Sequence, residues 1–366
     1  MAQLTSWSDY ERGTARIVVD LSVGEPDFDT PENIKRAGKD ALDQGHTTYT
    51  SAAGLPELRE TIAERLLADD LHYDPSQVIV TPGAKHALYI AFQTLVDVDD
   101  EVTLIDPSWV SYEPMARLAD GSVNRVDLSR HGFRLEDAID AVAEKTTSGT
   151  TAIVINSPNN PSGAIFSDAA LEGVRDIAID NDVTVISDEI YEDISYDVEP
   201  TSIGSLDGME DRTITINGFS KSYAMTGWRL GYLAGPEDLV AEATKVQSHS
   251  VSCTANFVQR AGIEALRNTD RAVAEMVNAF AERRELVIDL CKDLNLDHAP
   301  LRGAFYALIS VDEDDEEWCT DALEDAHVAT VPGSAFGTPG YARFSYAASK
   351  DRIKEGFDRL ETHGFL

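Results

Sequence analysis

Hydrophobic positions fall into short runs that alternate with helical patterns between residues 57 and 232. Near-continuous Val and Ile runs predict strands at 78–81, 101–105, 151–155, 183–186, 213–216 and 230–233. Apolar residues spaced three or four apart predict helices at 56–67, 85–95 and 168–179. Unbroken apolar runs are typical of strands covered on both faces. We therefore predict an α/β fold whose large domain has a mostly parallel sheet sandwiched by helices.

The pattern changes after residue 270. It predicts a long amphipathic helix at about 270–294, strand-like segments at 304–309 and 342–346, and a closing helix at 349–360. These elements predict a smaller α+β domain that also includes the N-terminal residues and is therefore discontinuous. We place the large domain at 42–275 and the small domain at 1–41 and 276–366.

The charge of the chain is strongly acidic. It carries 65 acidic residues against 30 basic ones, a net charge of −35, and the acids are spread along its 366 residues. Self-repulsion at this charge strains a folded protein in dilute buffer, and concentrated salt relieves it. We therefore expect a halophilic protein from a salt-rich cytoplasm. The same charge argues against nucleic acid or an anionic membrane as a partner.

Cysteine usage and hydropathy agree with a cytoplasmic location. The three cysteines show no pairing pattern and no CxxC, which argues against a disulfide framework or a zinc site, and we expect no metal. No apolar run approaches the ~20 residues of a membrane span. Residues 1–9 include a charge and no apolar core, so we expect no secretory signal.

Candidate chemistry begins after the predicted strand at 213–216. Lys221 and Arg229 lie eight residues apart in a segment rich in small side chains. A lysine at the exit of a buried strand loses hydration, and its amine becomes nucleophilic. An arginine nearby offers a planar fork that suits a phosphate. The pair alone is also compatible with a solvated lysine and a surface arginine.

Two earlier strand exits carry weaker signals. Gly83, Ala84 and Lys85 lie where a strand passes into a helix, and free N–H groups at such a turn suit a phosphate. Taken alone, they are also compatible with an ordinary strand–helix turn. Trp109 follows the next strand, and its flat ring would stack on a pyridine or fill an interface.

Two further strand exits are polar. Asn160 lies in a loop stiffened by two prolines and can donate a hydrogen bond to a phenolate-like oxygen. Asp188 ends a buried strand, with Tyr191 three residues later. A strand-end Asp is commonly a helix cap. Aimed into a cofactor site, its carboxylate would instead keep a pyridine nitrogen protonated, which preserves the ring as an electron acceptor.

Taken together, these segments resemble the class I/II aminotransferases, pyridoxal-phosphate (PLP) enzymes of the aspartate aminotransferase fold type. Six motifs in order carry the resemblance: SVGEPDF at 22–28, GLPELR at 54–59 with Tyr49 before it, NPSG at 160–163, SDEIY at 187–191, the segment 220–232, and ARFSY at 342–346. They cover nearly the whole chain. The resemblance departs at Gly218, where many relatives have Ser or Thr.

The resemblance implies a role for each matching residue. Lys221 would hold PLP as a Schiff base, Asp188 would bind the pyridinium, and Tyr191 with Asn160 would bind the ring oxygen. Trp109 would stack on the ring. The phosphate would be held by Arg229, by the backbone of Gly83, Ala84 and Lys85, and by Tyr49 of a neighbouring subunit, which implies a homodimer with shared sites. Arg343 would grip the substrate carboxylate, with Gly24 and Asn160 beside it.

The leading interpretation is therefore an aminotransferase that moves the amino group of an L-amino acid to a 2-oxo acid in a ping-pong reaction. The alternative on the same fold is a PLP-dependent carbon–sulfur β-lyase. A transcriptional regulator would need a DNA-binding domain of roughly 60 residues and a basic face, neither of which is present. A nicotinamide dehydrogenase would need a G-x-G-x-x-G turn, which is missing. The sequence leaves the amino donor open.

Overall fold

The computed structural model describes residues 18–311 and 314–366. The prediction about a secretory signal in residues 1–9 lies outside the described residues. The helices are α1 Glu32–Asp43, α2 Pro56–Leu67, α3 Ala84–Leu95, α4 Tyr112–Leu118, α5 Ile139–Lys145, α6 Asp168–Asn181, α7 Glu237–Ser250, α8 Asn256–Asn268, α9 Asp270–Asp293, α10 Asp315–Glu324 and α11 Lys350–Thr362. None of these helices is both long and apolar enough to cross a membrane.

The strands form one large sheet and two small ones. They are β1 Val19–Asp20, β2 Val78–Thr81, β3 Glu101–Asp106, β4 Ser122–Asp127, β5 Thr150–Asn156, β6 Thr184–Asp188, β7 Thr213–Gly218, β8 Gly231–Ala234, β9 Tyr306–Ser310, β10 Val328–Ala329, β11 Val331–Pro332 and β12 Tyr341–Ser345. The large sheet has the order β2-β8-β7-β6-β5-β3-β4. Only β8 runs antiparallel to its neighbours there, which confirms the mostly parallel sheet.

Both faces of the large sheet are covered, as the unbroken apolar runs predict. Every residue of β2 is buried. Val80 packs into a core with Ile62 of α2, whereas Ile79 packs into a second core with Leu88 of α3. Side chains that alternate between two cores explain why this strand has no polar face.

The C-terminal part of the chain builds the second layer around the site. Strands β9, β11 and β12 form an antiparallel sheet, and β1 pairs with β10. In this sheet, Arg343 of β12 lies opposite Leu308, and Ser345 lies opposite Tyr306. Because Leu308 and Tyr306 are two residues apart, this pairing brings Tyr306 and Arg343 to the same face of the small sheet.

Some elements are absent from the prediction. Strand β4 was missed because it is the edge of the large sheet and carries polar, half-exposed residues. Helix α1 was also missed; it packs on α8. The ring of Trp228 lies so close to Gly38 of α1 that a Cβ on Gly38 would be 2.8 Å from that ring. The predicted boundary at residue 275 lies inside helix α9, which continues through it without a break. The division into 42–275 and 1–41 with 276–366 stays a prediction.

Candidate active site

A cleft of about 1070 Å³ lies at one edge of the large sheet. It is bordered by the carboxyl ends of β5 and β6 and by the segment after β7. Parallel strands present their carboxyl ends at one edge of a sheet, so polar residues from distant parts of the chain meet there. The cleft is lined by ten of the predicted site residues: Gly24, Ala84, Lys85, Trp109, Asn160, Asp188, Tyr191, Lys221, Arg229 and Arg343.

Lys221 follows β7 by three residues and lies at the bottom of this cleft. Its amine contacts the carbonyl oxygen of Gly24 and lies 5.6 Å from the centre of the Tyr191 ring. Burial, and then the nearby Arg343, lower the pKa of Lys221 to about 8. A substantial fraction of this amine is therefore neutral near pH 8, and a neutral amine is a nucleophile.

Asp188 ends β6 and is only 4% exposed. Its Oδ2 accepts a 2.6 Å hydrogen bond from the Tyr112 hydroxyl, and its Oδ1 accepts a 3.3 Å bond from the Ile190 amide. Burial raises the pKa of Asp188 to about 6. The charge of Lys221 lowers this pKa, but less than the hydrogen bonds from Tyr112 and Ile190 do, so a bound cation would stabilise the carboxylate further. Tyr112 is a site residue that the sequence interpretation missed.

Tyr191 lies three residues beyond Asp188 and is buried. Its hydroxyl is 2.9 Å from the Tyr306 hydroxyl. Burial, and then Tyr306, raise the pKa of Tyr191 well above its usual value, so its phenol stays protonated. It is therefore a hydrogen-bond donor in the cleft. Tyr306 also lines the cleft and was not assigned from the sequence.

Arg343 of β12 is only 7% exposed. Its guanidinium donates to Asn160 Oδ1 at 3.0 Å and to the Ser22 carbonyl at 2.7 Å. Its buried Nε has no partner, and no carboxylate pairs with it among residues 18–311 and 314–366. A buried cation without a counter-ion is costly, and an anionic ligand relieves that cost. The position suits a carboxylate, which arginine binds through two parallel hydrogen bonds.

A second cation lies beside the start of α3. Arg229 has a left-handed backbone with φ of 56° and donates to the Thr226 carbonyl at 2.7 Å. It lies so close to Gly83 that a Cβ there would be 2.5 Å from its Nη2. Gly83 precedes α3, whose first N–H groups have no partner within the helix. A guanidinium next to free N–H groups forms a seat for a phosphate.

Trp109 and Lys85 face the same cleft. The Lys85 amine lies 4.8 Å from the centre of the Trp109 ring. The Trp109 ring contacts Tyr112 edge to face, at 5.6 Å between ring centres. Lys85 has no acidic partner within 4 Å among the described residues. The Lys85 side chain is thus a further cation of the cleft. The sequence analysis assigned a role only to the Lys85 backbone, in binding the phosphate.

The remaining predicted residues lie outside the lining of the cleft. Gly83 is not part of the lining but packs against Arg229. Tyr49 is 86% exposed and does not contribute to the cleft of its own chain. At Gly218, a Cβ would come within 3.1 Å of the Gly231 backbone, which is a tight contact.

The residues of the cleft fit pyridoxal phosphate. The cofactor carries an anionic phosphate, a pyridine nitrogen that binds a proton, and an aldehyde. The seat at Gly83 and Arg229, the buried carboxylate of Asp188 and the amine of Lys221 match these three groups. Among the described residues, no three His, Cys, Asp or Glu side chains are arranged to hold a metal ion.

Comparison with known proteins gives the same answer. The sequence profile of the family "Aminotransferase class I and II" matches residues 16–360. The chain is 42% identical over 359 residues to a probable aspartate/prephenate aminotransferase of Aquifex aeolicus, covering 94% of this chain and 90% of that one. It is 41% identical over 355 residues to the aspartate aminotransferase of Pyrococcus abyssi, covering 94% and 91%.

A solved structure shares the whole fold. The aspartate aminotransferase from Thermus thermophilus, determined with maleate, superposes with a TM-score of 0.91 at 39% identity and covers 94% of this chain and 91% of that one. All three of these relatives are named aminotransferases and not lyases. This chain belongs to the aminotransferase class I and II family and is a PLP-dependent aminotransferase.

Proposed function

We propose that the enzyme transfers the amino group of a dicarboxylic amino acid, aspartate, to a 2-oxo acid. The observation that carries this proposal is the Lys85 amine, a cation without an acidic partner among the described residues that lines the same cleft as Arg343. A substrate with two carboxylates needs two cations, whereas alanine needs one. The names of the Aquifex, Pyrococcus and Thermus relatives, and the dicarboxylate maleate in the Thermus structure, support the same substrate class.

Each side chain of the cleft has a separate task in this proposal. Bound PLP supplies the aldehyde and the ring that accepts electrons from the substrate. Lys221 would hold the cofactor through its amine and, once displaced by the substrate, would accept the proton from the substrate Cα. Asp188 would keep the ring nitrogen protonated, and Trp109 would pack against the ring.

The anionic ends of the ligands are held by the arginines and amides. Arg229, with the amides of Gly83, Ala84 and Lys85, would bind the phosphate. Arg343 would bind the substrate α-carboxylate beside Gly24. Tyr191 and Asn160 would donate hydrogen bonds to the ring oxygen, which would favour the ionised form of that oxygen.

The substrate proposal is tested with Lys85→Met, which keeps the aliphatic stem over Trp109 and leaves the Lys85 amide in place. We expect the KM for aspartate to rise by about 10-fold or more, because a charge-assisted bond is lost. The KM for alanine is the internal control and stays within about twofold. Equal losses for both substrates, or none, would contradict the assignment.

We further propose a homodimer in which Tyr49 completes the phosphate seat of the partner subunit. Tyr49 is 86% exposed, yet the chain on either side is tied to the 247–259 region: the Gln247 amide donates to the Ala52 carbonyl at 2.6 Å. An exposed aromatic on a fixed loop suits a contact between subunits.

A mixing experiment tests the shared site. Lys221→Ala and Tyr49→Ala homodimers each carry one defect in both sites. When the two variants are unfolded and refolded together, each mixed dimer contains one site with an intact Lys221 and an intact Tyr49. Recovery of activity supports the shared site, and no recovery in a sample that is dimeric by sedimentation contradicts it. A salt-rich cytoplasm is also part of this proposal, and its salt dependence is tested below.

A further inference from the structure

Tyr306 connects the cofactor side of the cleft to the substrate side. It opens β9, is fully buried, and lies 115 residues from Tyr191 in the chain. Its hydroxyl is 2.9 Å from the Tyr191 hydroxyl. A Cβ on Gly24 would lie only 2.8 Å from the same hydroxyl oxygen. The phenol of Tyr306 is therefore enclosed between Tyr191 and the segment expected to receive the substrate.

The ring of Tyr306 has a second contact. The guanidinium carbon of Arg343 lies 4.5 Å from the centre of this ring. An arginine over an aromatic face is attracted by the π-electrons, most strongly where water is excluded. Since two bonds to Asn160 and Ser22 fix the edge of the guanidinium, the ring supports its face.

The direction of the phenol–phenol hydrogen bond follows from the number of protons available. Either hydroxyl can be the donor in this bond. Each hydroxyl carries one proton and can also accept a hydrogen bond. If Tyr191 directs its proton to the oxygen of the cofactor ring, the proton between the two phenols is that of Tyr306, and Tyr306 donates to Tyr191.

We propose that Tyr306 is a positioning residue with two functions: its hydroxyl donates to Tyr191, and its ring supports Arg343. An accepted hydrogen bond strengthens the bond that a phenol itself donates. The Tyr306 hydroxyl thereby strengthens the hold of Tyr191 on the ring oxygen of the cofactor. This inference rests on the proposed site, in which Tyr191 contacts that oxygen.

Other groups near Tyr191 must stay constant in any test. The titratable or charged groups that face it are Tyr112, Asp188, Lys221, Tyr306 and Arg343. Tyr306→Phe removes one oxygen and leaves the other four groups in place. Tyr346→Phe is a matched control, because Tyr346 is equally buried and donates to the Ala304 carbonyl at 3.2 Å without lining the cleft.

The test is a pH titration of the visible absorbance of the PLP-loaded enzyme. In Tyr306→Phe the midpoint is expected to rise by about 0.5 pH unit or more, the equivalent of one weak neutral hydrogen bond. The sign follows because a weaker bond from Tyr191 leaves more negative charge on the ring oxygen, which favours the protonated chromophore. In Tyr346→Phe the midpoint stays at the wild-type value.

Measurements of KM distinguish the function of the Tyr306 ring from that of its hydroxyl. Tyr306→Phe keeps the ring under Arg343, so the KM for the amino acid stays within about twofold. Tyr306→Leu removes the ring, and the KM rises by about 2- to 30-fold. A KM in Tyr306→Leu equal to that in Tyr306→Phe would contradict the role of the ring.

An unchanged midpoint in Tyr306→Phe, or an equal shift in Tyr346→Phe, overturns the proposal. If Tyr306→Phe gives no folded enzyme, Gly24→Ala provides the same reading, because its Cβ displaces the Tyr306 oxygen. The midpoint must then rise in Gly24→Ala, and an unchanged value overturns the proposal. If the wild-type enzyme transaminates but the variants have the wild-type midpoint, only the inference about Tyr306 is wrong. If the wild-type enzyme does not transaminate, the proposed function is wrong.

Discussion

The Tyr112 hydroxyl donates a 2.6 Å hydrogen bond to Oδ2 of Asp188, and both residues are buried. Burial favours the neutral acid and raises the pKa of Asp188 to about 6, whereas the bond from Tyr112 lowers it. Tyr112 therefore holds the carboxylate in its ionised form and fixes its orientation. An ionised Asp188 is the form that pairs with a protonated pyridine nitrogen.

We expect Tyr112→Phe to weaken the binding of PLP by about 10- to 100-fold, because a hydrogen bond to a charged group contributes about 1.5–3 kcal/mol. The dissociation constant is measured by titrating the apoenzyme with PLP and following its absorbance. Tyr73→Phe is the control, since Tyr73 is buried, donates to the Thr213 carbonyl and does not line the cleft. Equal affinity in Tyr112→Phe and Tyr73→Phe would rule out this role of Tyr112.

Arg343→Lys is expected to raise the KM for both the amino acid and the oxo acid by about 10- to 100-fold, because lysine lacks the planar fork that binds a carboxylate twice. The affinity for PLP is expected to stay within about twofold, since in the proposed site Arg343 binds the substrate and not the phosphate. Steady-state kinetics with both substrates checks this. Arg284→Lys is the control: Arg284 bonds to Asp197 at 2.7 Å and lies outside the cleft. A KM that changes as little in Arg343→Lys as in Arg284→Lys would contradict the assignment.

The rate at which apoenzyme takes up PLP is expected to depend on pH through Lys221. Its pKa is lowered to about 8, so below pH 8 most of the amine is protonated and is not nucleophilic. The initial rate should rise by up to about tenfold per pH unit between pH 6.5 and 8 and level off above it. An ordinary lysine, with a pKa of about 10.4, would give a rate that keeps rising to pH 10. Such a profile would show that the amine is not perturbed.

Stability is expected to increase with salt. At a net charge of −35, the repulsion among carboxylates is screened when the Debye length falls from about 10 Å at 0.1 M to about 3 Å at 1 M salt. We expect the melting temperature to rise by about 5 °C or more between 0.1 M and 2 M KCl. Sucrose of the same osmolarity is the control, because it stabilises by exclusion without screening charge. An equal rise in sucrose, or no rise in KCl, would contradict the halophilic interpretation.

The positions of residues that follow a local pattern were predictable. Strands β3, β5, β6 and β7 were found because each is an unbroken apolar run. Lys221 and Asp188 were found because each follows or ends such a strand, and polar groups at strand ends meet at one edge of a parallel sheet. Edge strand β4 lacks this signal, since half of its surface faces water.

Residues whose role depends on contacts between distant segments were not predictable. Tyr112 and Asp188 are 76 residues apart in sequence, and Tyr191 and Tyr306 are 115 apart. No periodicity or motif relates such pairs before the chain folds. The Lys85 side chain was missed for another reason: its backbone already had a role in the phosphate seat, and only the structure places its amine over Trp109.

The central claim is that one lysine of nine, Lys221, carries the cofactor. The direct measurement is to reduce the PLP-loaded enzyme with borohydride, digest it, and locate the modified lysine by mass spectrometry. We predict a single modified peptide with the pyridoxyl group on Lys221, and no incorporation in Lys221→Ala. A pyridoxyl group fixed on Lys85 or any other lysine, or equal incorporation in Lys221→Ala, would contradict the account.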